Sequence, residues 1–105
     1  RLMGLKTYKV LSGSMEPEYH VGSVVYVEKS SIDDIEVGDV ITFYINDNTV
    51  VTHRVVDKDN DTESFHTKGD ANETEDGGSV AYDKVVGKGI KCAVSWIHFK
   101  IERVL

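Results

Sequence analysis

Apolar residues recur at every second position along most of this chain, and that alternation confines it to β-structure. A period of two puts successive side chains on opposite faces, which suits a half-buried sheet and defeats a helix. Val24, Val25, Tyr26 and Val27 make one such run within 23–27. Asp39-Val40-Ile41-Thr42-Phe43-Tyr44-Ile45 makes a second, rich in β-branched and aromatic residues. Asn46-Asp47-Asn48 supplies turn chemistry, and 49–56 returns as a third strand. Shorter candidates lie at 63–68 and 85–90, while 30–37 reads as an irregular turn. The tail 92–105 fits strand and helix spacing about equally, so it is read as strand at first with its end left open. No repeat and no long linker interrupts the chain. The expectation is one mostly β domain over residues 1–105.

Composition narrows the function classes. With 105 residues the chain makes one domain that can bury a core without staples. Its formal net charge of −6 repels phosphate backbones, so no nucleic-acid partner is expected. One cysteine, Cys92, excludes an intrachain disulfide and a Cys-rich zinc site. No apolar run reaches the roughly 18 residues that cross a bilayer. The first residue is Arg1, and we read the chain as a fragment whose upstream part was removed.

Several patterns invite chemistry and then fail a specific test. Asp57-Lys58-Asp59-Asn60-Asp61 suggests a calcium loop, but Thr62 and Lys68 stand where that loop needs Gly and Glu. It reads as a solvated acidic hairpin tip. Asn60-Asp61-Thr62 and Asn72-Glu73-Thr74 match the glycosylation sequon, a weak pattern. His20, His53, His66 and His98 share no metal-ligand spacing, so no metal and no cofactor is expected.

Two segments carry more. His53 alternates with valines in Val51-Thr52-His53-Arg54-Val55-Val56, a setting usual for a structural histidine. Leu11-Ser12-Gly13-Ser14-Met15-Glu16-Pro17 reads blandly as a turn holding the chain's one proline. Read chemically, Gly13 lets the backbone bend and present the Ser14 hydroxyl beside its own N–H. In an extended segment Ser12 would point to the same side, where its hydroxyl could donate to a developing oxyanion.

Ser12-Gly13-Ser14-Met15-Glu16-Pro17 resembles the nucleophile box of type I signal peptidases. Gly38-Asp39-Val40-Ile41-Thr42-Phe43, Thr52-His53-Arg54-Val55-Val56, Thr67-Lys68-Gly69-Asp70-Ala71-Asn72 and Val86-Gly87-Lys88 resemble that family's later boxes, in order. Ala71 stands where Asn is commoner. His53 occupies the place where common bacterial members carry lysine, as in the endoplasmic-reticulum type found also in archaea and some Gram-positive bacteria. The resemblance implies a membrane-associated serine endopeptidase with a signal-peptidase-like antiparallel fold. Ser14 is then the nucleophile, His53 the general base and Asp70 the residue orienting or charging His53. Asp76, six residues after Asp70, is implied as a secondary acid. Ser12 and the Ser14 N–H form the oxyanion hole, and Val10, Leu11 and Met15 contact substrate.

General chemistry agrees with that assignment. A serine hydroxyl needs a base in contact, and an ordinary histidine, with a pKa of about 6.5, is largely neutral at pH 7. A peptide can pair as an added strand against Lys9-Val10-Leu11, which fits a small-x-small cleavage site. The implied partners are preprotein signal peptides, a dedicated pilin or biofilm protein among them, and a membrane reached through an anchor absent from this fragment. The implied location is the extracytoplasmic face, or the reticulum lumen. Two rivals share the signature. Self-cleaving repressor proteases use a lysine base and an Ala-Gly bond, and this chain has neither a lysine at 53 nor that dipeptide. A non-catalytic, signal-peptidase-like pilus assembly factor or chaperone would lack the nucleophile or the base, and both residues are present.

Overall fold

The computed structural model describes residues 5–89. Among these residues seven strands form one antiparallel sheet: β1 (Leu5–Lys9), β2 (Val24–Glu28), β3 (Val40–Asn46), β4 (Thr49–Asp59), β5 (Ser64–Lys68), β6 (Ser79–Ala81) and β7 (Val85–Gly89). Their order in the sheet is β1-β2-β7-β3-β4-β5-β6. The chain is mostly β, as its alternation requires. The 30–37 turn contains a short 3-10 turn at Ile32–Asp34, and a second one, Tyr82–Lys84, leads into β7. The tail at 92–105 lies outside the described residues.

Two departures from the sequence reading have simple causes. The acidic hairpin tip expected at 57–61 begins later: β4 continues through Asp59, and the turn falls at 60–63. Asp59 itself shapes that turn, its carboxylate accepting from the N–H groups of Asp61 and Thr62. Strand β6 is only three residues long, too short for any periodicity to announce it.

Alternation sorts the side chains into two cores. Ile41, Phe43, Val55, Phe65 and Val80 form the first, with Ile35 from the turn before β3 closing it. Met15, Tyr19, Val25, Val27 and Val40 form the second. Full burial of a side chain such as Phe65 or Val27 contributes about 1.5–3 kcal/mol. Between β3 and β4 the buried Thr42 shares a 2.7 Å hydrogen bond with Thr52, so its hydroxyl is not left unpaired. Strands β2 and β7 meet closely enough at Gly87 that a Cβ there would sit 2.3 Å from the Glu28 carbonyl oxygen. Only glycine fits.

The sheet is also incomplete in a useful place. Strand β5 pairs with β4 only from Arg54 onward, while residues Thr49 to His53 have β3 on one side alone. Among the described residues, nothing pairs with the other side of that half-strand. Among the described residues strand β1 pairs only with β2 and leaves a second free edge.

Candidate active site

His53 sits at the notch where β5 ends. Its register partner on β3 is Ile41, and Phe43 meets its ring edge-on, with centroids 6.4 Å apart. At the close of β5 the chain turns at Gly69, leaving the imidazole reachable from the loop joining β1 to β2. That loop carries Ser14. It is not extended, as the sequence reading assumed, but tightly turned: Glu16 N–H donates to Gly13 O and Tyr19 N–H to Met15 O. The turn still brings the Ser12 and Ser14 hydroxyls within 3.2 Å of each other.

Three side chains then line up. Ser14 Oγ lies 3.0 Å from His53 Nε2, and His53 Nδ1 lies 2.6 Å from Asp76 Oδ2. The loop after β5 fixes Asp76 twice, since its N–H donates to Thr67 O at 2.9 Å and its Oδ2 accepts from Thr67 Oγ1 at 2.6 Å. An ionised carboxylate only accepts, so Nδ1 is the nitrogen that carries hydrogen. In a neutral ring Nε2 is then a bare lone pair facing the Ser14 hydroxyl. This is the tautomer a general base needs.

Asp70 makes no hydrogen bond to His53, so the orienting contact expected of it is not formed, although its charge still acts on the ring. Its carboxylate is held in a fork by Arg54, Nε at 2.8 Å and Nη2 at 2.7 Å, while Arg54 Nη1 donates to Gly38 O. The physical reason is alternation. Arg54 follows His53 and points to the opposite face, and a planar guanidinium takes a nearby carboxylate in two parallel bonds. The turn that holds Asp70 serves the nucleophile instead: Ala71 N–H donates to Ser14 O at 2.8 Å, and Asp70 N–H approaches Met15 Sδ at 3.3 Å. Asp76, the secondary acid in the sequence reading, stands where Asp70 was expected.

The Arg54 hydrogen bonds hold the Asp70 carboxyl below the usual carboxylate range, with burial opposing and the charges of Arg54, Lys68 and His53 reinforcing. A lowered folded-state pKa means that the unfolded chain binds the proton more readily. Asp70 therefore contributes stability above the ordinary carboxylate pKa of about 3.9, and that contribution fades as pH falls through the folded-state value. Because the pair is only part-buried and still meets solvent, the effect is modest. Thermal unfolding of the wild type should lose more stability between pH 5 and pH 3, taken as about two units of acidification, than does Asp70→Asn. Equal slopes would show that the pair carries no acid-sensitive stability.

Gly69 has a strict steric role. A Cβ at this position would lie 2.7 Å from the Ser14 carbonyl oxygen and 3.1 Å from His53 Nε2. Gly69→Ala must push the serine loop away from the imidazole. We expect cleavage activity to fall by about 10²-fold, the cost of roughly an ångström of misplacement, measured at a temperature where the variant stays folded. Unchanged activity would mean that the loop yields without moving Ser14 Oγ.

A cavity of about 810 Å³ adjoins Ser14 and His53, between the β1 end and the open half of β4. Val10, Leu11, Ser12 and Met15 line it, as do Tyr19, Val50 and Thr52. Met15 is at once a cavity wall and a member of the second core. Val10 donates its N–H to Ser23 O and accepts at its own carbonyl from Gly22. Since neighbours alternate in an antiparallel ladder, the Lys9 and Leu11 backbone groups turn to the outer edge. Among the described residues no group of three or more His, Cys, Asp and Glu is placed to hold a metal. Thr67 and Arg54 are the site residues that motif reading missed.

A hydroxyl, a basic imidazole nitrogen and a carboxylate in sequence are the arrangement by which serine hydrolases activate their nucleophile. Comparison with known proteins identifies the family. The family model described as signal peptidase, peptidase S26, matches residues 1–62. Signal peptidase I W of Bacillus subtilis is 44% identical over 87 residues, covering 80% of this chain and 46% of that protein. The signal peptidase complex catalytic subunit SEC11C of Homo sapiens is 40% identical over 73 residues, 66% of this chain and 38% of that one. The SEC11 subunit of Fusarium vanettenii is 38% identical over 71 residues, 64% of this chain and 41% of the other. No solved structure matches the chain. The chain belongs to the signal peptidase family, peptidase S26. It spans less than half the length of these curated relatives.

Proposed function

We propose that this chain is the catalytic domain of a serine endopeptidase that removes signal peptides from preproteins. The observation that carries the reading is the Ser14–His53–Asp76 alignment at the mouth of the 810 Å³ cavity. Ser14 Oγ attacks the scissile carbonyl while His53 Nε2 takes its proton, and Asp76 stabilises the imidazolium. The tetrahedral oxyanion collapses to an acyl-serine as His53 returns the proton to the leaving amine. Water, deprotonated by the same nitrogen, then frees the acid and restores Ser14.

The substrate enters as a strand between two free edges, Lys9 to Leu11 on one side and Thr49 to His53 on the other. Alternate side chains then drop into the cavity, which fits a small-x-small cleavage site. Work at a membrane surface belongs to the proposal, on its extracytoplasmic side or in the reticulum lumen, because the cut segments are apolar. Among the described residues no helix is long and apolar enough to cross a membrane. The non-catalytic pilus-factor reading is disfavoured by the nucleophile–base contact at 3.0 Å. The test is incubation with a preprotein and sequencing of the new N-terminus. Cleavage after a small-x-small segment supports the reading; an intact preprotein refutes it.

Ser12 is the oxyanion donor in this scheme. Ser12→Ala should lower turnover by about 10²–10³-fold with KM nearly unchanged, as loss of one such donor does. Unaltered turnover would leave Ser12 a turn residue only.

A further inference from the structure

A second cavity, of about 280 Å³, shares Val51 and His53 with the first but does not reach Ser14. Phe43, Ile45, Asp76 and Val80 supply most of its remaining wall. Alternation separates this cavity from the first. Phe43 pairs with Val51 and Ile41 with His53, so these side chains share one face, while Val50 and Thr52 point to the other and join Met15 and Tyr19 in the first cavity.

An extended peptide along the open half of β4 presents successive side chains to alternate faces. With the residue before the scissile bond seated in the first cavity, the residue after it faces the second. Its nitrogen is the leaving amine, which must lie at His53 to collect the proton. Beyond His53 the strand line is closed, because Lys68 of β5 already pairs with Arg54. The departing chain therefore leaves the sheet beside His53.

We propose that the 280 Å³ cavity is the leaving-side subsite and takes the side chain of the first residue after the scissile bond. This rests on the endopeptidase reading. The wall is mostly apolar and roomy enough for Val or Leu, and among the described residues its one charged group is the Asp76 carboxylate, with no Lys or Arg lining it. A neutral aliphatic side chain is favoured and an acidic one is repelled.

Two peptides matching the leaving product, one beginning with Leu and one with Asp, would be titrated into the isotopically labelled protein. We expect amide shifts at Ile45, Gly78 and Val80, with the Leu peptide bound about tenfold more tightly. Ile45→Asp, an exposed position that tolerates charge, should weaken the Leu peptide by a similar factor. Absence of shifts, shifts confined to Val10, Leu11 and Tyr19, or equal affinities would overturn the assignment. In parallel, kcat/KM is measured on preproteins varied at the first mature residue and, separately, two residues before the bond. Sensitivity to the former supports the subsite, and sensitivity to the latter alone refutes it. The titration needs no hydrolysis, so the two failures are separable: cleavage without shifts sinks the subsite, and failure to cleave any preprotein sinks the enzyme reading.

Discussion

Ser14→Ala should reduce preprotein cleavage by at least about 10³-fold while leaving the fold intact. The reaction as proposed forms a covalent bond to Ser14 Oγ, and alanine has no atom there. What remains is the contribution of the cavity and any oxyanion donors, which in such systems still exceeds water. Stability should barely change. The Ser14 backbone is held by Ala71 N–H to its carbonyl, and the loop is anchored by buried Met15 and Tyr19, none of which the substitution touches. Cleavage assays on folded protein, with thermal unfolding alongside, check both halves. A loss below about tenfold would remove Ser14 from the mechanism.

Asp76→Asn should be nearly as severe, with kcat down by about 10³–10⁴-fold, KM close to wild type and the fold retained. An asparagine keeps the shape but can offer Nδ1 an NH₂ group, turning the imidazole so that its hydrogen sits on Nε2. The nitrogen facing Ser14 is then no longer a base. Asp70→Asn should behave differently. It removes charge from the Arg54 fork and loosens the turn that supports Ser14, so its loss should be smaller and accompanied by the altered acid stability described above. Steady-state kinetics on both variants decide between the two carboxylates. If Asp70→Asn is the more damaging in kcat, the contact between Asp76 and His53 is not the one that matters.

That pair of aspartates marks the limit of what the residues alone reveal. Strands β2, β3 and β4 are legible because valine, isoleucine and aromatic residues recur along them, while β5 and β7 offer only short runs. Ser14 and His53 are legible because the Ser12–Pro17 and Thr52–Val56 boxes are specific. Choosing between Asp70 and Asp76 needs to know which face each reaches after Gly69. Arg54 captures the first, and the chain then loops back along Thr67 to deliver the second to the His53 face. Thr67 was visible within its motif, but its role depends on the register that sets it opposite Val55, and strand register is not written in the β5 sequence. Gly69 is similar: its motif marks it, yet only the approach of the Ser14 carbonyl explains it.

The central claim is that Ser14 and His53 act as one unit in cutting preprotein. A double-mutant cycle measures this directly, comparing preprotein cleavage by the wild type, Ser14→Ala, His53→Ala and the double variant. Groups that act together are not additive, because removing either one already disables the attack. We predict that each single variant loses at least about 10³-fold and that the double variant is hardly worse than either. Losses that multiply in the double variant, or a His53→Ala protein that cleaves at the wild-type rate, would contradict the account.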